Sequence, residues 1–299
     1  MENGNWELML KIDPGRIPHP ELHKLLLGSI APRPIAFAST IDAAGNPNLS
    51  PFSFFNVFGV NPTTLIFSPS RRGRDGSTKN TLENVKTVPE VVINVVTFDM
   101  VNQASLASTE YPAGVDEFIK AGLTKIPSEL IRPFRVKESP VQMECRVRGL
   151  IETGSGGGAA NLVICDILLM HVSEDVLDET GMIDQHKIRL VGRLGKNYYV
   201  KAFGDALFEV AKPLQKLGIG IDALPEHIRL SKFLTGNELG QLGNLERLPS
   251  KEEISALRES PEIQEILESN CDTHTELIVL AKSYLQTGHA FEALKALMI

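Results

Sequence analysis

The densest group of chemistry-bearing side chains is SPSRRGRDGSTKNT, residues 68–81, with four basic side chains, several hydroxyls and two glycines between an apolar stretch and a helical one. Arg71 and Lys79 are among its cations. Arg and Lys supply charge-assisted hydrogen bonds, and a helix opening near Asn80 and Thr81 turns free N–H groups and its positive dipole end toward the same place. That combination suits capture of a phosphate, and the competing reading is a solvated basic loop. Asn80 followed by Glu83 reads as a helix N-cap with its capping-box partner. A second cluster, Asn48-Leu49-Ser50-Pro51-Phe52-Ser53-Phe54-Phe55-Asn56, interleaves small polar residues with aromatics. Its amides and hydroxyls can bond the polar edge of a planar heterocycle while rings cover the face, although the same aromatics can simply fill a core.

GSGGGA at residues 154–159 satisfies the relaxed dinucleotide fingerprint by letter. The following NLVICDILLMHV reads as a strand, whereas the fingerprint requires a helix, so the run is expected to be a hairpin loop. His171 ends that strand, where it is either structural or a site residue. No nucleophile elbow, HExxH helix, P-loop or EF-hand loop occurs. Cys145, Cys165 and Cys271 contain no CxxC pair, which argues against a zinc ribbon or a disulfide framework and leaves them as buried small hydrophobes.

These side chains must be positioned by a chain of 299 residues, 42% hydrophobic, long enough for one large domain or a domain with an appendage. A net charge of -7 and a pI near 5.6 argue against nucleic acid or an anionic membrane as the main partner, while leaving room for a local basic loop. The N-terminal residues lack a basic and then apolar leader, and no window approaches 18 uninterrupted apolar residues. A cytoplasmic chain without a membrane span is expected. Strands are expected at Ile35–Ile41, Leu65–Phe67, Val91–Val96, Val141–Ile151, Asn161–Val172 and Arg189–Val191, with a hairpin turn over residues 42–48. Short helices are expected at Glu21–Leu27, Thr81–Val88, Met100–Ala107 and Val115–Ala121. Beyond Gly204 the β-branched runs give way to helical spacing, which divides the chain into residues 1–204 and a mostly helical extension, 205–299. Pro261 marks a break or a helix start there, and the last segment reads as two helices joined near Thr287, Gly288 and His289. The extension is read as a helical cap on the first domain or as a docking module.

Four pieces occur in order: PRPIAFASTIDAAGNPNLSPFSFFN (32–56), TLIFSPSRRGRDGSTKNTLENV (64–85), LLMHV (168–172) and VGRLGKNYY (191–199). Together they resemble the flavin reductase-like family, whose fold is a mainly β, antiparallel split β-barrel of Greek-key, FMN-binding type with peripheral helices. The resemblance implies a homodimer with FMN near the subunit interface. It implies Ser39, Thr40, Lys79, Asn80 and Thr81 on the phosphate side, and Asn48, Ser50, Pro51, Phe52 and Ser53 around the isoalloxazine. The family's commoner triplet is Lys-Asp-Thr, so Asn80 keeps a capping side chain but loses the charge. His171 matches a histidine beside the nicotinamide, and Arg193 and Tyr198 match the terminal motif. The implied reaction passes hydride from NADH or NADPH to the flavin, with a monooxygenase or another acceptor taking the electrons. The alternative is a flavoredoxin-like FMN electron carrier, or a flavin-binding module, without pyridine-nucleotide activity.

Overall fold

The computed structural model describes residues 9–211, 217–269 and 272–299. The chain forms two compact units, passing from the first to the second between Leu207 and Phe208.

The first unit is built on β1 (Ala36–Ile41), β2 (Pro47–Phe52), β3 (Phe55–Val60), β4 (Thr63–Phe67), β5 (Glu90–Val95), β6 (Lys125–Ile126), β7 (Arg135–Val136), β8 (Val141–Glu152), β9 (Asn161–Val172), β10 (Val191–Arg193) and β11 (Tyr199–Lys201). Seven of these make one sheet in the order β2-β1-β5-β8-β9-β4-β3, with every pairing antiparallel. The two edge strands, β2 and β3, are neighbours in sequence, separated only by Ser53 and Phe54. Three Cα steps span at most about 10 Å, so the sheet has to curl until its edges approach. Among the described residues no ladder joins β2 to β3, which leaves the barrel split rather than closed.

The helices of this unit are α1 (His19–Ser29), α2 (Asn80–Thr87), α3 (Val101–Leu106) and α4 (Glu117–Ala121). One face of the sheet gathers Ala36, Ala38, Ile93, Cys145, Cys165 and Phe67 around Leu82 and Val85 of α2. The alternate residues Ile35 and Phe37 join Leu49, Met100, Ala104 and Phe118, the last three from the α3 and α4 region. β1 is therefore buried along its whole length. Small alanines face one cluster and Phe37 the other, so no polar face exists to reveal a period of two.

Several expectations are met closely: β9 spans the expected residues, and GSGGGA lies in the hairpin between β8 and β9. Two require correction. β10 begins at Val191, not Arg189, because Arg189 has left-handed backbone (φ 50°) and cannot extend a ladder. Asn80 is not the N-cap of α2. Lys79 caps it in extended backbone, Asn80 is its first residue, and no side chain caps the first turn.

The second unit consists of α5 (Glu226–Arg229), α6 (Gly236–Gly243), α7 (Lys251–Arg258), α8 (Pro261–Glu268), α9 (Thr273–Gln286) and α10 (Ala290–Leu297). Its own core includes Ile228, Leu242, Ala281, Leu285, Ala293 and Leu294. Reciprocal capping boxes, Thr235 with Glu238 and Ser250 with Glu253, start α6 and α7. Pro261 opens α8, and Gly288 at φ +80° turns the chain between α9 and α10. Among the described residues no helix is long and apolar enough to cross a membrane.

Candidate functional site

α2 leaves the loop of residues 68–79 and packs against β1 and β2, bringing the loop's cations to the β2 edge. A narrow slot results, lined by Asn48 and Ser50 of β2, Arg72 and Lys79 of the loop, Asn80 and Thr81 of α2, and residues 107–111 and 117. The polar floor is tied together. Asn48 Nδ2 donates to Thr40 Oγ1 at 3.1 Å and to Thr81 Oγ1 at 2.9 Å, and Asn84 Nδ2 donates to Thr40 at 3.1 Å. At the β2 edge the Leu49 N–H donates to Glu117 Oε2 at 3.0 Å. Burial pushes the Glu117 carboxyl above its ordinary value.

Lys79 is the unbalanced charge. Its Nζ lies 5.2 Å from the centre of the Phe52 ring, and among the described residues no carboxylate pairs with it. Burial, and then the neighbouring Arg72, hold its ammonium below the usual lysine value. Arg72 and Arg74 share Glu110, at 3.2 and 2.6 Å, and Arg72 also donates to the Thr78 carbonyl. A half-buried ammonium beside a second cation, at a helix start with no side-chain cap, is a site that an anion completes. A phosphate monoester fits these donors, and the hydroxyl and amide groups of Asn48 and Ser50 lie alongside.

The β8–β9 hairpin holds this loop by backbone. Arg71 N–H donates to the Ala159 carbonyl at 2.9 Å, and Gly158 N–H donates to the Arg71 carbonyl at 3.1 Å. A Cβ on Gly157 would fall 2.6 Å from the Gly73 carbonyl oxygen, so the glycine run permits an approach no other residue allows. Glu152 adds a polar tie, pairing with Arg71 at 2.9 Å and with Lys86 of α2 at 2.9 Å.

The structure thus gathers Asn48, Ser50, Lys79, Asn80 and Thr81 in one slot, with Phe52 beneath Lys79. Pro51 follows Ser50 on β2, and Ser53 accepts a bond from Arg33 Nε at 3.4 Å. Thr40 stands behind the slot as the anchor of Asn48. Ser39 is fully buried, and its Oγ has no partner among the described residues. Arg71 turns to Glu152 and the Gly76 carbonyl instead of into the slot. His171 is not brought there either: its Nε2 lies 2.8 Å from Oε1 of the fully buried Glu144. Glu144 also accepts N–H bonds from Glu129 and Leu130 at 2.9 and 2.7 Å. Arg193 lines a different groove and donates to the carbonyl of Tyr198, whose ring is exposed.

Sequence reasoning did not single out Arg72, Glu110 or Glu117. Arg72 lies within the basic loop and carries that signal. Glu110 and Glu117 reach the slot only through the packing of the segment after α3 and of α4, which no local pattern announces.

A family model described as "Flavin reductase like domain" matches residues 27–191, more than half of the chain. An uncharacterized protein of Aquifex aeolicus is 38% identical over 189 residues, covering 63% of this chain and 94% of that protein. The crystal structure of nitrilotriacetate monooxygenase component B from Bacillus cereus is similar at a TM-score of 0.63 and 31% identity, covering 68% of this chain and 98% of that one. Flavoredoxin of Desulfovibrio vulgaris (Miyazaki F) shares the fold, with a TM-score of 0.52 and 21% identity over 62% of this chain and 93% of its own.

Proposed function

Because the chain belongs to the flavin reductase-like family, we propose that it binds FMN with the phosphate on Lys79 and reduces it with NADH or NADPH. The observation that carries this reading is the Lys79 ammonium at the uncapped start of α2, half-buried beside Arg72 and, among the described residues, in salt-bridge contact with no carboxylate, Glu110 acting on it only from a longer range. The flavin, when bound, supplies the hydride-accepting chemistry. The protein's part is binding and placement. Lys79, with the N–H groups of the first turn of α2, holds the phosphate. Ser50 and the β2 edge offer donors and acceptors to the polar rim of the ring system, and Pro51 and Phe52 give it an apolar wall. Asn48 is held rigid by Thr40 and Thr81, so the floor is set before ligand arrives.

The working unit in this reading is a homodimer. The edge strand β3, which among the described residues pairs only with β4, and the residue before it expose Phe54, Val57, Phe58 and Val60, an apolar row that a second copy would cover. The electrons pass to a monooxygenase or another acceptor. Anaerobic mixing of FMN-loaded protein with NADH, and separately with NADPH, tests the reading through the visible flavin absorbance. Rapid bleaching with either donor supports it and names the donor. A stable oxidised spectrum with both overturns it in favour of a flavoredoxin-like carrier.

A further inference from the structure

Two carboxyl groups, Glu110 and Glu117, line the slot that holds Lys79, and a negative charge on either weakens a site for an anion. Glu117 is accounted for by the fold. It is buried, its Oε2 accepts the Leu49 N–H at 3.0 Å, and burial favours its neutral form. Glu110 is different. It lies in the segment after α3, its side chain is 43% exposed, and its carboxylate reaches two cations of the basic loop, Arg72 Nε at 3.2 Å and Arg74 Nη1 at 2.6 Å.

The two contacts are unequal. Arg74 is exposed and also pairs with Asp75 at 3.1 Å, so it holds Glu110 from the solvent side. The Arg72 side chain is 17% exposed, and its Nη1 is fixed by the Ser77 hydroxyl at 3.2 Å and by the Thr78 carbonyl. Its Nε is fully buried, and Glu110 approaches so far off the N–H direction that no hydrogen bond forms despite the short distance. Among the described residues Arg72 thus has its charge balanced while one buried N–H lacks an acceptor. An unsatisfied buried donor is costly, and a phosphate oxygen entering the slot satisfies it with a charge-assisted bond. Glu110 also acts on Lys79 from a longer range, against the effect of burial and of Arg72. One half-exposed carboxylate therefore bears on both slot cations without a well-directed bond to either.

We propose that Glu110 is a displaceable counter-ion of the slot: an incoming phosphate monoester takes over Arg72, Glu110 withdraws to Arg74, and its nearby charge keeps FMN exchangeable. The proposal rests on the reading that places the FMN phosphate in this slot. The test titrates FMN, and separately riboflavin, into the full-length protein and follows quenching of flavin fluorescence. Glu110→Gln keeps the shape and removes the charge, and it binds FMN about tenfold more tightly than wild type, equal to about 1.4 kcal/mol. The gain appears mainly as slower FMN dissociation. Riboflavin, which lacks the phosphate, binds both proteins alike. Glu110→Ala gives the same pattern, and both variants melt near wild type because exposed ion pairs add little stability. An FMN affinity in folded Glu110→Gln equal to or below wild type overturns the proposal, and so does an equal gain for riboflavin. Lys79→Ala separates the two readings. Loss of FMN affinity in Lys79→Ala without a gain in Glu110→Gln leaves the phosphate on Lys79 and strikes the counter-ion alone. A gain in Glu110→Gln with wild-type affinity in Lys79→Ala leaves the counter-ion standing on Arg72 and takes Lys79 out of the site.

Discussion

Replacing Gly157 with alanine perturbs the phosphate loop without touching a charged group. The added Cβ would lie 2.6 Å from the Gly73 carbonyl oxygen and 3.1 Å from the Arg72 carbonyl oxygen, both backbone atoms that no rotamer change can move. Ordinary contact begins near 3.4 Å, so the hairpin and the loop must separate by about 0.8 Å, the difference of those two distances. Overpacking of this kind costs about 1–3 kcal/mol. The displaced segment carries Arg72 at its start and Lys79 at its end, so FMN affinity falls by a similar about 1–3 kcal/mol, or about 5- to 150-fold. Quenching of FMN fluorescence on titration reads the affinity, and thermal unfolding reads the fold. Gly156→Ala is the control, since its Cβ meets nothing within 4 Å. Wild-type FMN affinity in a folded Gly157→Ala protein would refute the clamp, and so would an equal loss in Gly156→Ala.

Other predictions concern single side chains. Lys79→Ala weakens FMN binding by about 1–3 kcal/mol, because it removes the slot cation that has no salt bridge among the described residues; unchanged affinity takes Lys79 out of the site. Burial alone would raise the Glu144 carboxyl, but the N–H groups of Glu129 and Leu130 and the His171 ring together hold it below its ordinary value. Its folded pKa is thus lower than its unfolded one, so it stabilises the protein above the usual glutamate value of about 4.3, and the contribution fades as pH falls through the folded value. Glu144→Gln is accordingly less stable near neutral pH by about 1.5–3 kcal/mol, with the gap closing in acid; a gap independent of pH in chemical denaturation contradicts this account. His171→Ala lowers melting temperature by taking a partner from Glu144 and leaves FMN affinity intact, and a loss of FMN would place the ring against the flavin instead. Burial pushes the Cys145 thiol up to about 12 and the Cys165 thiol well above its ordinary value, so neither reacts with a thiol reagent until the protein unfolds. Labelling of either in the native state, read by mass spectrometry, counts against that burial.

Local chemistry in the sequence determined a good deal of this protein. The strand from Asn161 to Val172, the hairpin at GSGGGA, the helix starts at Pro261 and after Gly288, and the basic loop before α2 are all set by residues close in sequence, and a short-range pattern reports them. The family resemblance extended that to Asn48, Ser50, Lys79, Asn80 and Thr81, which the fold does gather into one slot. Tertiary structure decided the rest, because burial and pairing over long separations leave no periodic mark. β1 is buried on both faces, so its alternation is silent. Asn80 yields the cap position to Lys79, a one-residue shift that leaves the first turn open to an anion. Arg71 and Arg72 are adjacent and chemically identical, yet Arg71 is drawn to Glu152 across the hairpin and Arg72 to Glu110 beside the slot. His171 ends an apolar strand as its sequence implies, and only the fold provides the buried Glu144 that binds it. Which side chain serves structure and which faces a ligand depends on the partners that other elements bring, and those partners lie tens of residues away.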